Sequence, residues 1–61
     1  MMILTTQQRK RITTFCNDYR STENNYKKAV VDLKLSHWLA DIQADIGTIK
    51  HVTSVVTGRP Q

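Results

Sequence analysis

Apolar side chains recur every three or four residues along most of this chain, and that spacing limits the folds open to it. In the first segment the spacing connects Ile12, Phe15 and Tyr19. A period near 3.6 residues places such side chains on one face of an α-helix, and that face must be buried against another element. The pattern therefore predicts an all-α fold made of amphipathic helices.

Four helices are predicted, at about residues 6–20, 23–34, 36–46 and 48–57. Thr5 and Gln8 fit a capping box at the start of the first helix. Ser36 is a favourable N-cap for the third helix, Gly47 is typical of the residue that follows a helix, and Thr48 can cap the fourth. Two short helices joined across a glycine predict a small three- to four-helix domain with a helix-turn-helix.

The last predicted helix is rich in β-branched side chains, which account for seven of the ten residues 48–57. A helix is favoured over a strand because apolar positions 49, 52, 55 and 56 fit a period of 3.6 better than a period of 2. Local propensity does not explain this composition, since β-branched residues are weaker helix formers. The other side of the helix carries hydroxyl and basic groups without a carboxylate, which suits contact with DNA. The predicted DNA contacts on this helix are Thr48, Lys50, His51, Ser54 and Thr57.

The chain has a formal net charge of +4, and most of its basic residues lie in the first half. Excess positive charge favours polyanionic partners because each neutralised phosphate releases counterions, although such charge also serves solubility alone. Double-stranded DNA is therefore the predicted partner. The predicted phosphate contacts are Arg9, Lys10, Arg11, Lys27, Lys28 and Arg59.

The size of the chain limits its stability. A chain of 61 residues buries only about 60% of the surface that its unfolded form exposes, and one such module makes a small DNA interface, so we expect a homodimer.

Cys16 cannot form an internal disulfide, and no apolar run approaches the length of a membrane span. These features predict a cytoplasmic protein without membrane association.

Catalytic chemistry is not indicated by the residue pattern. The sequence contains no nucleophile–base pair, no paired acids, no Gly-rich phosphate loop and no set of residues with zinc-ligand spacing. His37 and His51 lack the partners that a metal ligand or catalytic base requires. The sequence therefore predicts neither an enzyme nor a cofactor or metal site.

The segment HVTSVVTGRP resembles the recognition helix and exit of phage-type Cro/repressor (Xre-like) regulators, in which a Val-Ser/Thr pair precedes an aliphatic residue and a Gly-Arg pair. The matching residues are Val52, Thr53, Val55 or Val56, Gly58 and Arg59, and Leu39 and Ala40 are similar to a Leu-Ala pair in the motif's first helix. The resemblance covers residues 36–60. It implies a DNA-binding transcriptional regulator of a phage or other mobile element.

Three alternatives remain open at this stage, of which a nonspecific nucleic-acid coat protein is the weakest. The segment NNYKKAVVDLKLSHWLADI is also similar to a helix-turn-helix of the Fis or resolvase kind, in which the predicted helix 36–46 would contact DNA. Asp41 and Asp45 would then approach phosphates, so contact through the last helix is favoured. The remaining alternative is a small helical protein that binds and inhibits or modulates a host protein, such as an antitoxin, an anti-defence factor or a polymerase or nuclease inhibitor.

Overall fold

Three α-helices make up the computed structural model, which describes residues 2–58. They are α1 (Thr6–Ser21), α2 (Asn25–Asp41) and α3 (Ile46–Thr57). No strand occurs within the described residues. The predicted all-α fold is confirmed, but the predicted division into four helices is not.

The start of α1 follows the sequence prediction closely. The backbone N–H of Gln8 donates to Thr5 Oγ1 at 3.1 Å, and the backbone N–H of Thr5 donates to Gln8 Oε1 at 2.8 Å. These two reciprocal bonds form a capping box, which satisfies backbone donors that the first turn of a helix leaves unpaired. The predicted end at residue 20 is one residue short of the observed end at Ser21.

The predicted break between the second and third helices was wrong, because α2 is continuous through Ser36. Asn24 caps this helix by accepting hydrogen bonds from the backbone N–H groups of Tyr26 and Lys27, at 2.8 and 3.3 Å. Leu35 and Leu39 lie on successive turns on either side of the predicted boundary, and both are fully buried. Burying both leucines on one helix face requires the backbone to stay helical between them.

The junction between α2 and α3 also differs from the prediction. The backbone N–H groups of Gln43 and Ala44 donate to the carbonyl oxygens of Ala40 and Leu39, both at 3.0 Å. Gln43 adopts a left-handed conformation with φ 55°. This pair of bonds is a Schellman arrangement, in which the left-handed residue is normally a glycine. The predicted terminator Gly47 instead lies in the first turn of α3.

Asp45, and not Thr48, is the N-cap of α3. Its Oδ1 accepts a hydrogen bond from the backbone N–H of Thr48 at 2.7 Å. An Asp at the N-cap satisfies an unpaired donor and places negative charge at the positive end of the helix. The last helix therefore begins at Ile46, two residues before the predicted start.

The core lies where the three helices meet. It consists of five buried hydrophobic side chains, one from α1 and two each from α2 and α3: Phe15, Leu35, Leu39, Val52 and Val56. Half-buried Trp38 packs against this core, with its ring centroid 5.7 Å from that of Phe15. A separate finding is that no helix within residues 2–58 has both the length and the apolar character needed to span a membrane.

Replacing Ser36 by alanine tests the continuity of α2. We expect Ser36→Ala to leave the free energy of unfolding unchanged or to raise it by about 0.5 kcal/mol, because alanine is the better helix former in a helix interior. Urea denaturation followed by far-UV circular dichroism measures the effect. Leu35→Ala, one residue away, should lower the same quantity by about 2–5 kcal/mol because it empties a core position.

If Ser36 were an N-cap, its replacement by alanine would cost about 1 kcal/mol. A loss of that size would therefore contradict a continuous α2.

Candidate nucleic-acid interface

The side of α3 that faces the core is defined by residues four apart. Thr48, Val52 and Val56 are all buried, whereas Ile49 and Val55 are 37% and 42% exposed. The helix is therefore rotated relative to the prediction, in which Ile49 and Val55 belonged to the buried side. Residues at i, i+3 and i+7 share a helix face, so Gly47, Lys50 and Ser54 form a line on the side opposite the core, the outward line. Gly47 and Lys50 are exposed in this line, and Ser54 is half-buried.

Thr48 does not lie on the outward face, which corrects its prediction as a DNA contact. Its side chain is fully buried, and its Oγ1 accepts a hydrogen bond from the backbone N–H of Met2 at 2.9 Å. The hydroxyl is thus satisfied inside the protein, where a buried polar group needs a partner. Thr48 ties the segment before α1 to the first turn of α3.

Asp45 keeps a negative charge at the N-terminal end of α3. Hydrogen bonds from the side chain and backbone N–H of Thr48 lower the pKa of the Asp45 carboxyl to about 2. The group is consequently ionised at neutral pH and interacts favourably with the helix dipole. This charge occupies the end of α3 that would otherwise attract an anion.

Lys50 and His51 are both exposed, as predicted, but they face different directions. Lys50 lies on the outward line with Gly47 and Ser54. His51 is about 100° further round the helix, where it lines a groove between α1 and α3 together with Arg9. The structure therefore brings together two predicted contacts, Arg9 of α1 and His51 of α3.

Two other predicted phosphate contacts have aromatic partners inside the protein. The Arg11 guanidinium lies 5.1 Å from the centroid of the Phe15 ring, and Lys28 Nζ lies 5.5 Å from the centroid of the Tyr19 ring. Cation–π contacts of this kind are worth about 0.5–1 kcal/mol at exposed sites. These two cations are held close to the protein surface, and DNA contact through them would compete with the rings.

The remaining predicted contacts are spread over the three helices. Lys10 is exposed on α1 and Lys27 is exposed near the start of α2. Ser54 and Thr57 are half-buried, and the Thr57 hydroxyl donates to the Thr53 carbonyl oxygen at 2.7 Å. Arg59 lies outside the described residues.

Gly47 is the member of the outward line that the sequence prediction missed. It was assigned to the end of the preceding helix, whereas it occupies an exposed position in the first turn of α3. The signal that could have placed it is Asp45, since Asp is a strong N-cap and precedes a run with helical spacing. Without a side chain, Gly47 allows another molecule to approach the α3 backbone closely.

Comparison with known proteins returned no match. No protein-family model matches it, and no curated protein or solved structure does so either. The resemblance of residues 36–60 to Cro/repressor regulators therefore stays a prediction.

The cap at Asp45 leads to a prediction about pH. The pKa of this carboxyl is about 2 in the folded chain and 3.8 as the ordinary value, so the folded state favours the ionised form. Its contribution to stability is complete above the unfolded value and is lost as the pH falls through the folded value. We expect Asp45→Asn, which keeps a capping oxygen but no charge, to lose less stability than the natural chain between about pH 5 and pH 2.

Urea denaturation at several pH values measures this difference. Asp18→Asn, at an exposed position of α1, is the matched control and should retain the pH dependence of the natural chain. An identical pH dependence for the natural chain and Asp45→Asn would show that the cap contributes nothing through its charge.

Proposed function

We propose that this chain is a sequence-specific double-stranded DNA-binding regulator of transcription, in which α2 and α3 form a helix-turn-helix and α3 reads the major groove. The observation that carries the proposal is the outward line of α3. It presents Lys50 between the small residues Gly47 and Ser54, and no carboxylate occurs within α3 itself. A helix with these properties can lie between two phosphate backbones without repulsion along its length.

The connection between the two helices supports this proposal. Residues 42–45 join α2 to α3, and helix-turn-helix units use similarly short turns. In such units the first residues of the second helix contact base edges. Gly47 and Lys50 occupy the first two turns of α3, and the opposite side of the helix is fixed in the core by Thr48, Val52 and Val56.

The chemistry of the outward line suits base recognition. The ammonium group of Lys50 can donate to the O6 and N7 acceptors of guanine, and the Ser54 hydroxyl can donate or accept at either base of a pair. The ionised Asp45 disfavours a phosphate at the N-terminal end of α3. We therefore expect α3 to contact the groove along its side, with exposed cations of α1 such as Lys10 available to neighbouring phosphates.

The proposed regulator acts as a homodimer. A single domain of this kind makes a small interface with DNA, whereas two copies bind half-sites about 34 Å apart and gain affinity from both. The resemblance to Cro/repressor regulators further suggests that the protein serves a phage or another mobile element.

Selection from a pool of random DNA duplexes tests this function. We expect one sequence to be enriched, with binding that weakens steeply between about 50 and 200 mM salt. Lys50→Gln should weaken binding to the enriched sequence by about tenfold and reduce discrimination against a scrambled duplex, because it removes a contact to base edges. Ser54→Ala should reduce discrimination against a scrambled duplex and leave the salt slope unchanged, because it removes no charge.

Arg20→Gln is the matched control for Lys50→Gln. It removes one exposed positive charge from the last turn of α1, away from the outward line, and should lower affinity for the enriched and scrambled duplexes equally. The proposal fails if no sequence is enriched, or if Lys50→Gln and Arg20→Gln have the same effect on discrimination.

A second candidate function is the binding of a host protein, and a specific observation favours it. Tyr26 and Leu33 are 77% and 60% exposed on α2, and their spacing of seven residues places them on one face two turns apart. A contiguous patch that includes both side chains would suit the docking of another protein. The apolar face of α1 at Ile12, Phe15 and Tyr19 does not provide such a surface, because Phe15 is only 5% exposed.

A further inference from the structure

A groove between α1 and α3 combines an apolar floor with two basic side chains. Its volume is about 220 Å³, and it is lined by Leu4, Arg9, Ile12, His51, Val52 and Val55. Four of these six residues are aliphatic, and they come from the segment before α1 and from both helices. The groove is therefore assembled by the tertiary fold and would not exist on an isolated helix.

Within residues 2–58, the basic groups of the groove have no anionic partner. Neither the Arg9 nor the His51 side chain forms a hydrogen bond or ion pair with any described residue, and none of the lining residues is acidic. An arginine guanidinium binds a carboxylate through two parallel N–H donors, and an imidazole ring N–H adds a third donor. The charge of the groove thus complements an anion whose remaining surface is apolar.

We propose that this groove binds a small monocarboxylate with an aliphatic tail. Arg9 and the His51 ring hold the carboxylate at the rim, while Leu4, Ile12 and Val55 contact the tail. The size agrees with this ligand class, since an apolar cavity of about 150 Å³ accommodates benzene. A ligand with about eight non-hydrogen atoms therefore fills the groove.

This site is independent of the proposed DNA-binding function, although His51 lies next to Lys50. A ligand this small binds weakly, with a dissociation constant of about 1 mM, because each atom contributes a limited free energy. Chemical-shift mapping by two-dimensional NMR on the full chain detects binding at this strength and identifies the residues involved without DNA.

The experiment compares two probes that have the same shape and different charge, 4-methylpentanoate and 4-methylpentanamide. We expect the acid to shift the amide signals of the groove residues and to bind about tenfold more tightly than the amide. Arg9→Gln should reduce affinity for the acid several-fold and leave affinity for the amide unchanged. Lys10→Gln, which removes the neighbouring charge outside the groove, should retain the affinity of the natural chain for the acid.

Three results would each overturn the site: equal affinity for acid and amide, shifts scattered outside the groove, or equal effects of Arg9→Gln and Lys10→Gln. The spectra of the variants also report whether each variant is folded, so loss of structure is distinguishable from loss of binding. A chain that binds the acid as expected but enriches no DNA sequence would retain the groove and lose only the proposed regulator function.

Discussion

Burial of Leu35 and Leu39 on successive turns of α2 determines much of this small fold. The described chain has only five buried hydrophobic side chains, so each contributes a large share of the burial that opposes chain entropy. Because both leucines must reach the core from one helix face, α2 stays helical through Ser36 and ends in the turn at Gln43. The turn at Gln43 places Asp45 at the N-cap of α3. The position of this cap fixes where α3 begins and therefore which of its residues face outward.

The features that were predictable from sequence depend on residues close together in the chain. The helical period and the pair Thr5 and Gln8 predicted α1 with its cap, and both are local signals. The predicted boundaries at Ser36 and Gly47 failed for a physical reason. A favourable cap contributes about 1 kcal/mol, whereas emptying a core position such as Leu35 costs several times more. Where the two conflict, burial decides the structure, and single-residue preferences do not show which positions are buried.

The burial of Thr48 could not be predicted from nearby residues, because its hydrogen-bond partner is Met2, near the start of the chain. A threonine occurs on both the buried and the exposed side of helices. Here the buried Thr48 hydroxyl is satisfied by the backbone N–H of Met2, which is 46 residues away in sequence. By contrast, the exposure of Lys50 and His51 was predictable because charged and polar side chains rarely occupy a small core. The proximity of Arg9 to His51 had no local signal, since it arises only when α1 packs against α3.

Gln43 has a consequence for how this protein could change. A left-handed backbone costs a residue with a Cβ roughly 1 kcal/mol more than it costs glycine, and here that cost falls within residues 42–45, which join α2 to α3. Gln43→Gly would remove this conformational cost. The substitution would thus change the backbone energy of the connection without altering any side chain of the core or of the outward line.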